Sequence, residues 1–273
     1  MEKFSNKQYK YQVYVLMKDI FESNMSYDGK ITRIRTYSEI VIRKMLGIPQ
    51  TEKMTIGGKK VKKLIEKLPY HSDRKRVFDS INKPGTGRTH TERKVEESEE
   101  EFEKASKEQF DEIYDALLNL MAFLFIDYFY KYKFGTNLEV LYSFSLLPPV
   151  LRYKVLTFLY RYDADNVYIV DKLALAILKT YGKKAAFLWL EKNKDNIQRL
   201  NMYDSCLYKV NIINSKGIYL DFKSAQPYYE KYGVLEESKE ENKEFNDIMN
   251  FIYMRKKEDE PFLDKGPQIY YRV

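Results

Sequence analysis

The sequence contains few of the residues that most often build metal sites and covalent links. Its 273 residues include one cysteine, Cys206, and two histidines, His71 and His90. A single cysteine excludes an intrachain disulfide, and a structural zinc site needs several Cys or His ligands. We therefore expect no zinc site and no bound cofactor, while carboxylate-bound magnesium remains open from composition.

Common catalytic signatures are missing as well. Residues 57–60 (Gly-Gly-Lys-Lys) have neither the spacing of a phosphate-binding loop nor a preceding strand. The sequence has no Gly-x-Ser-x-Gly elbow, and Cys206 has no obvious histidine partner. These absences argue against nucleotide hydrolysis by a P-loop and against acyl transfer.

Long apolar runs are scarce. The first residues carry no apolar signal core, and the most apolar run, residues 117–130, includes Asn119 and Asp127. That run is shorter than the roughly 20 residues that cross a bilayer. We expect a cytoplasmic protein that does not associate with a membrane.

Positive charge is present but concentrated in one segment. The chain has 47 Lys and Arg against 40 Asp and Glu, a net charge of +7. Residues 52–94 hold 13 of the basic and 5 of the acidic residues, a local excess of +8, so the remainder is near −1. Such a segment is typical of a surface that attracts RNA or another polyanion. A solvated lysine-rich face is the alternative.

Apolar periodicity predicts helices through the first half of the chain. Helical spacing is found in residues 7–23, 31–46 and 59–68, and Ser72 can cap a further helix. Glycines and a proline predict a loop over residues 82–90. The glutamate-rich run 95–103 continues without a breaker into an apolar pattern, which predicts one long helix that ends near Gly135.

The second half is predicted to be helical at first and mixed at its end. Helices are expected after Pro149, over 165–181, over 183–192 and over 240–257. Residues 207–213 alternate in polarity and predict a strand, which residues 218–220 would join as a β-hairpin. The predicted fold is mainly α, with a helical domain over 1–136, a helical region over 137–200 and a small α+β part over 201–273.

His90 ends the predicted loop and has chemistry of its own. A histidine can act as a general acid or base near neutral pH, and Arg88 and Arg93 flank it with phosphate-stabilising charge. Cleavage of RNA without a metal requires a base, an acid and a cation on the phosphate. The alternative is a histidine that caps the long helix or satisfies a loop.

Several features together resemble the HEPN superfamily over about residues 7–135. The helix 34–46 begins with an Arg-x-x-x-Glu pattern, Arg35 to Glu39, and a short helix of Leu and Ile type follows. The loop 85–90 has the Gly-to-His spacing of the family's loop, and a long closing helix comes next. This resemblance implies a helical bundle, a homodimer and a role with RNA.

The family's ribonucleases use an Arg-x(4–6)-His motif, from which this sequence departs. Gly85 stands five residues before His90, and Thr86 stands where asparagine is usual. His90 matches the catalytic histidine, while only lysine or a closer arginine is available as the cation. The residues expected to hold phosphate or steer RNA are Lys83, Arg88, Arg93, Lys59, Lys60, Lys62, Lys63, Arg74, Lys75 and Arg76.

The resemblance implies an RNA-associated or interaction protein of phage defence or of a toxin-like stress response. Two alternatives stay open: a metal-independent endoribonuclease with His90 as general acid and base, and a phage-encoded inhibitor of a host system. We expect RNA as a partner, a protein partner for the C-terminal half, and homodimer formation.

Overall fold

A computed structural model describes residues 4–82, 99–216 and 221–253, and these residues form a mainly helical protein. Within those ranges there are thirteen α-helices, one π-helical turn and no strand. The first five helices are α1 (Asn6–Phe21), α2 (Tyr27–Leu46), α3 (Lys59–Ile65), α4 (His71–Asn82) and α5 (Glu99–Lys131). The next five are α6 (Leu138–Phe144), α7 (Pro149–Tyr162), α8 (Val167–Tyr181), α9 (Lys183–Lys192) and α10 (Lys194–Arg199). The last are α11 (Tyr203–Ile212), α12 (Phe222–Tyr228), the π-helix Tyr229–Gly233 and α13 (Glu240–Ile252).

Local sequence signals account for the first helices, as predicted. Helix α1 buries Tyr9, Val13, Leu16 and Ile20, whose spacing places them on one face. Helix α2 ends at Gly47, which adopts a left-handed conformation (φ 65°) that glycine tolerates without steric cost. The predictions of helices at 7–23 and 31–46 are confirmed, with shifts of a few residues at the ends.

The long helix is confirmed from Glu99 onward. Helix α5 has 33 residues, and the part Glu103–Lys131 is long and apolar enough, with a window of mean hydropathy 1.3, to meet the criteria for a membrane span. The apolar stretch is therefore longer than residues 117–130, on which the sequence argument was based. However, 72% of that window is buried inside the protein, which is the pattern of a core helix.

The chain divides into two compact units, and the boundary falls inside α5, after Leu124. In the first unit α1 packs on α2, and α4 contacts both α2 and α3. Two aromatic contacts join these helices to α5: Phe21 with Tyr114 at 5.6 Å between ring centroids, and Tyr27 with Phe110 at 5.3 Å. Helix α4 is thereby placed on a framework made by the longer helices.

In the second unit α8 is the central helix. It buries residues around most of its circumference and packs against α7, α9 and α11. Helix α13 is anchored by Asn246, whose side chain accepts from the Leu235 amide at 3.0 Å and donates to the Leu235 carbonyl at 2.8 Å. The side-chain amide of Asn246 therefore satisfies both backbone polar groups of Leu235 and is itself hydrogen-bonded, as a buried polar group requires.

The predicted strand at 207–213 is wrong, because residues up to Ile212 belong to helix α11. The residues that this helix buries are Tyr203, Cys206 and Val210, whose spacing is helical. The strand prediction considered only residues 207–213, and so it left out Tyr203 and Cys206, which show the helical spacing. The predicted partner strand, residues 218–220, lies outside the described residues.

Candidate nucleic-acid interface

Helix α3 separates its apolar and basic residues onto two faces. It begins after Gly58, whose amide donates to the Thr55 carbonyl at 2.9 Å. Val61 and Ile65 are buried, whereas the lysines of the helix are exposed. Lysine keeps its ammonium group in water while the stem covers apolar surface, so the helix presents a row of cations outward.

Helix α4 adds two more exposed cations beside that row. It buries Phe78 and Ile81, and Lys75 and Arg76 point to solvent. Helix α3 contacts α4, and Lys62 of α3 lines the same groove as Lys75 of α4. We call the exposed cations of these two packed helices the basic face; its members are Lys59, Lys60, Lys62, Lys63, Lys75 and Arg76.

Two members of the basic face have acidic partners. Lys60 pairs with Glu52, and Arg76 lies 3.9 Å from Asp73. The other four members form no ion pair with any residue in the described ranges. These four lysines are therefore exposed cations without a close ion pair in the described ranges, while Glu66 and Asp79 lie one helical turn from Lys62 and Lys75.

Arg74 does not belong to the basic face, which corrects its inclusion among the residues expected to bind RNA. Its side chain is buried, with 0% of the residue exposed. The guanidinium donates from Nε to the Pro69 carbonyl at 2.8 Å and from Nη1 to Met45 Sδ at 2.9 Å, and it stacks on the Phe123 ring. A buried guanidinium with these contacts holds α4 against α2 and α5 and does not reach a polyanion outside.

A small groove opens within the basic face. Its volume is about 100 Å³, far below the roughly 300 to 1,000 Å³ of drug-sized ligand sites. The residues that line it come from α3, α4 and the preceding loop: Ile56, Gly57, Lys62, Ile65, Glu66, His71, Lys75, Phe78, Asp79 and Asn82. Ile56, Ile65 and Phe78 are each less than a tenth exposed, so they form an apolar floor.

The rim of the groove pairs a cation with a carboxylate on each helix. Lys62 precedes Glu66 by four residues, and Lys75 precedes Asp79 by four. None of these four side chains forms an ion pair with another residue that the structure describes. The described residues also contain no cluster of His, Cys, Asp and Glu suited to a metal ion. The groove thus offers both cationic donors and carboxylate acceptors to a small ligand.

A second polar feature lies on α2, at the Arg-x-x-x-Glu pattern. Burial lowers the pKa of the Arg35 guanidinium, whose Nε and Nη2 atoms are buried without a hydrogen-bond partner in the described part of the chain. Burial raises the pKa of Glu39, and the nearby charge of Arg43 opposes that increase. Arg35 and Glu39 are therefore each partly desolvated, and the charge that acts on Glu39 is that of Arg43.

The remaining predicted site residues, Lys83, Arg88, His90 and Arg93, lie outside the described residues. Sequence reasoning did not single out Glu66, Asp79 or His71 as parts of a site. A signal was present, because Lys62 and Glu66, like Lys75 and Asp79, have the spacing that places side chains on one helix face. That spacing alone does not reveal that the two faces meet across a groove.

Comparisons with known proteins leave the family open. No protein-family model matches this sequence, and neither a curated protein nor a solved structure shows significant similarity to it. The HEPN resemblance therefore stays a prediction, and the functional argument depends on the geometry of the basic face and groove.

Proposed function

We propose that this protein binds single-stranded RNA through the basic face of α3 and α4. The observation that carries the proposal is the group of four exposed lysines without ion-pair partners in the described structure: Lys59, Lys62, Lys63 and Lys75. Cations of this kind contact phosphates and release the counterions bound to the nucleic acid, which drives association.

The distribution of charge supports binding at this face in particular. Residues 52–94 carry an excess of +8 against a value near −1 for the rest of the sequence, and residues 52–82, which include α3 and α4, account for +5 of it, with nine basic and four acidic residues. A polyanion is steered toward the region of positive potential and away from the remainder. RNA is the favoured polyanion because the resemblance to HEPN proteins over about residues 7–135 implies it, and because the face includes a groove with apolar and polar walls.

Binding and its salt dependence test the proposal. We expect a fluorescein-labelled 12-nucleotide oligouridine to bind the full chain. The logarithm of the association constant should fall linearly with the logarithm of the salt concentration. Each phosphate contact to a single strand contributes about 0.7 to that slope. The triple variant Lys62→Ala, Lys63→Ala, Lys75→Ala should therefore lower the slope by about 2 and weaken binding at low salt.

A matched control distinguishes binding at the basic face from a general effect of the protein's net charge. Lys184, Lys192 and Lys243 are exposed lysines of α9 and α13, and their triple replacement by alanine removes the same charge. This control should keep the slope of the wild-type chain. Absence of RNA binding at 50 mM salt, or equal losses in the two triple variants, would contradict the proposal.

The hypothesis of RNA cleavage by His90 is separate from binding. The same protein is incubated with RNA in the presence and absence of a chelator, beside His90→Ala. Cleavage that requires His90 and resists the chelator would make the protein a metal-independent endoribonuclease. RNA that stays intact with both proteins would leave an RNA-binding protein, the role we propose, for which phage defence or a toxin-like response is the expected setting.

A further inference from the structure

We propose that the groove between α3 and α4 holds one nucleobase of the bound strand and prefers guanine. This inference depends on the proposed RNA binding and adds a specificity to it. It is carried by three properties of the groove: its small size, its apolar floor, and two rim carboxylates that have no ion-pair partner among the residues that the structure describes.

The groove encloses little space. Its volume of about 100 Å³ is well below that of sites that enclose drug-sized ligands, so a planar base lying partly in the groove is the occupant that we propose. The floor made by Ile65 and Phe78 offers apolar contact to a flat face, as protein sites for unstacked RNA bases do. The groove therefore fits one base that has left the stack of its neighbours.

The carboxylates argue for a base with several hydrogen-bond donors. Glu66 and Asp79 repel phosphate, so their position amid six exposed cations is unfavourable for backbone contacts alone. A carboxylate has acceptor atoms only and binds parallel N–H donors best. On its Watson–Crick edge guanine presents two such donors, N1–H and the N2 amino group, whereas uracil, cytosine and adenine present one donor group each.

Two lysines of the groove provide contacts for the phosphate of the same nucleotide. Lys62 and Lys75 line the groove one turn away from the carboxylates. A nucleotide whose base edge meets Glu66 or Asp79 can then place its phosphate toward an ammonium group. In this orientation a rim carboxylate accepts hydrogen bonds from the base, and a rim ammonium group contacts the phosphate.

The test compares oligonucleotides that differ in one base. A labelled 12-mer of uridine is compared with 12-mers that carry a single central guanosine, adenosine or cytidine. One bidentate base contact corresponds to roughly 5- to 150-fold discrimination, and the open groove places the expected guanine preference near the lower end, about 10-fold. The ratio of affinities is the readout, since it cancels the phosphate contribution common to all strands.

Two single variants test which carboxylate recognises the base. Asp79→Asn or Glu66→Gln should reduce the guanine-to-uridine ratio to within about twofold of unity, while both proteins keep a wild-type circular dichroism spectrum. Glu108→Gln, which removes one exposed carboxylate from α5, is the charge control and should keep the full ratio.

The outcomes separate this inference from the proposed function. RNA binding with no guanine preference would overturn the inference and leave RNA binding intact. A preference that survives both Asp79→Asn and Glu66→Gln would also overturn it, because the base would then be recognised elsewhere. Failure of every 12-mer to bind would overturn the proposed function and this inference with it.

Discussion

The guanidinium carbon of Arg74 lies 4.5 Å from the centroid of the Phe123 ring, in the interior of the first unit. This contact joins α4 to α5, and the hydrogen bond from Arg74 to Pro69 fixes the turn that precedes α4. One arginine thus holds in place the helix that supplies half of the groove. Its role is structural, although it stands between an aspartate and two exposed cations in the sequence.

We expect Arg74→Ala to destabilise the first unit by about 3 kcal/mol, because a charge-assisted hydrogen bond is lost and a cavity remains. Arg74→Met should cost less, since it fills the space without a buried charge. The measurement is hydrogen exchange of the α4 amides as urea is raised. Lys75→Ala, its exposed neighbour, should change stability by no more than about 0.5 kcal/mol, and an equal loss in that variant would contradict the structural role.

Glu39 should make the first unit less stable as pH rises through the acidic range. Burial raises the pKa of this carboxyl above its ordinary value of 4.5, so the folded state favours the protonated form. The stabilisation is complete below the ordinary value and is lost as pH rises through the raised value. Glu39→Gln should therefore be more stable than wild type at pH 7, by less than about 1 kcal/mol because this group is only partly buried.

The difference between Glu39→Gln and wild type should disappear near pH 4, where both side chains are neutral. Thermal unfolding at pH 4 and pH 7 measures it, with Glu112→Gln on the exposed side of α5 as the control. A stability gain that is the same at both pH values would show that the carboxylate charge is not its cause.

Cys206 should react slowly in the folded protein. The residue is 1% exposed, and burial together with the charge of Asp171 raises the pKa of its thiol to about 12. At pH 8 only roughly one thiol in 10⁴ is then the reactive thiolate. We expect iodoacetamide to label the native chain more than 100-fold slower than in urea, and complete labelling of native protein within minutes would contradict this burial.

Three residues of α11 distinguish a helix from the strand that alternation predicts. In a strand Tyr208, Val210 and Ile212 would share one face, whereas Val210 is 0% exposed and the other two are more than half exposed. Val210→Ala should cost about 2 kcal/mol. Tyr208→Ala and Ile212→Ala should each cost less than about 0.5 kcal/mol, as measured by urea dependence of Cys206 labelling; similar costs at all three sites would favour the strand.

The sequence by itself determined the helices whose signals are local. The spacing of Val13, Leu16 and Ile20, together with the stop at Gly47, is sufficient to predict α1 and the end of α2, because helical periodicity and glycine conformation depend on near neighbours. The basic character of α3 and α4 was equally evident from composition.

Only the tertiary structure decided which cations face outward and which carboxylates meet them. Arg74 and Lys75 are adjacent in sequence, yet the first is buried because Met45 and Phe123, distant in the chain, surround it. Likewise Glu66 and Asp79 line one groove only because α3 folds back on α4. Burial and shared sites depend on contacts between distant segments, and a local pattern carries no information on which segments will meet.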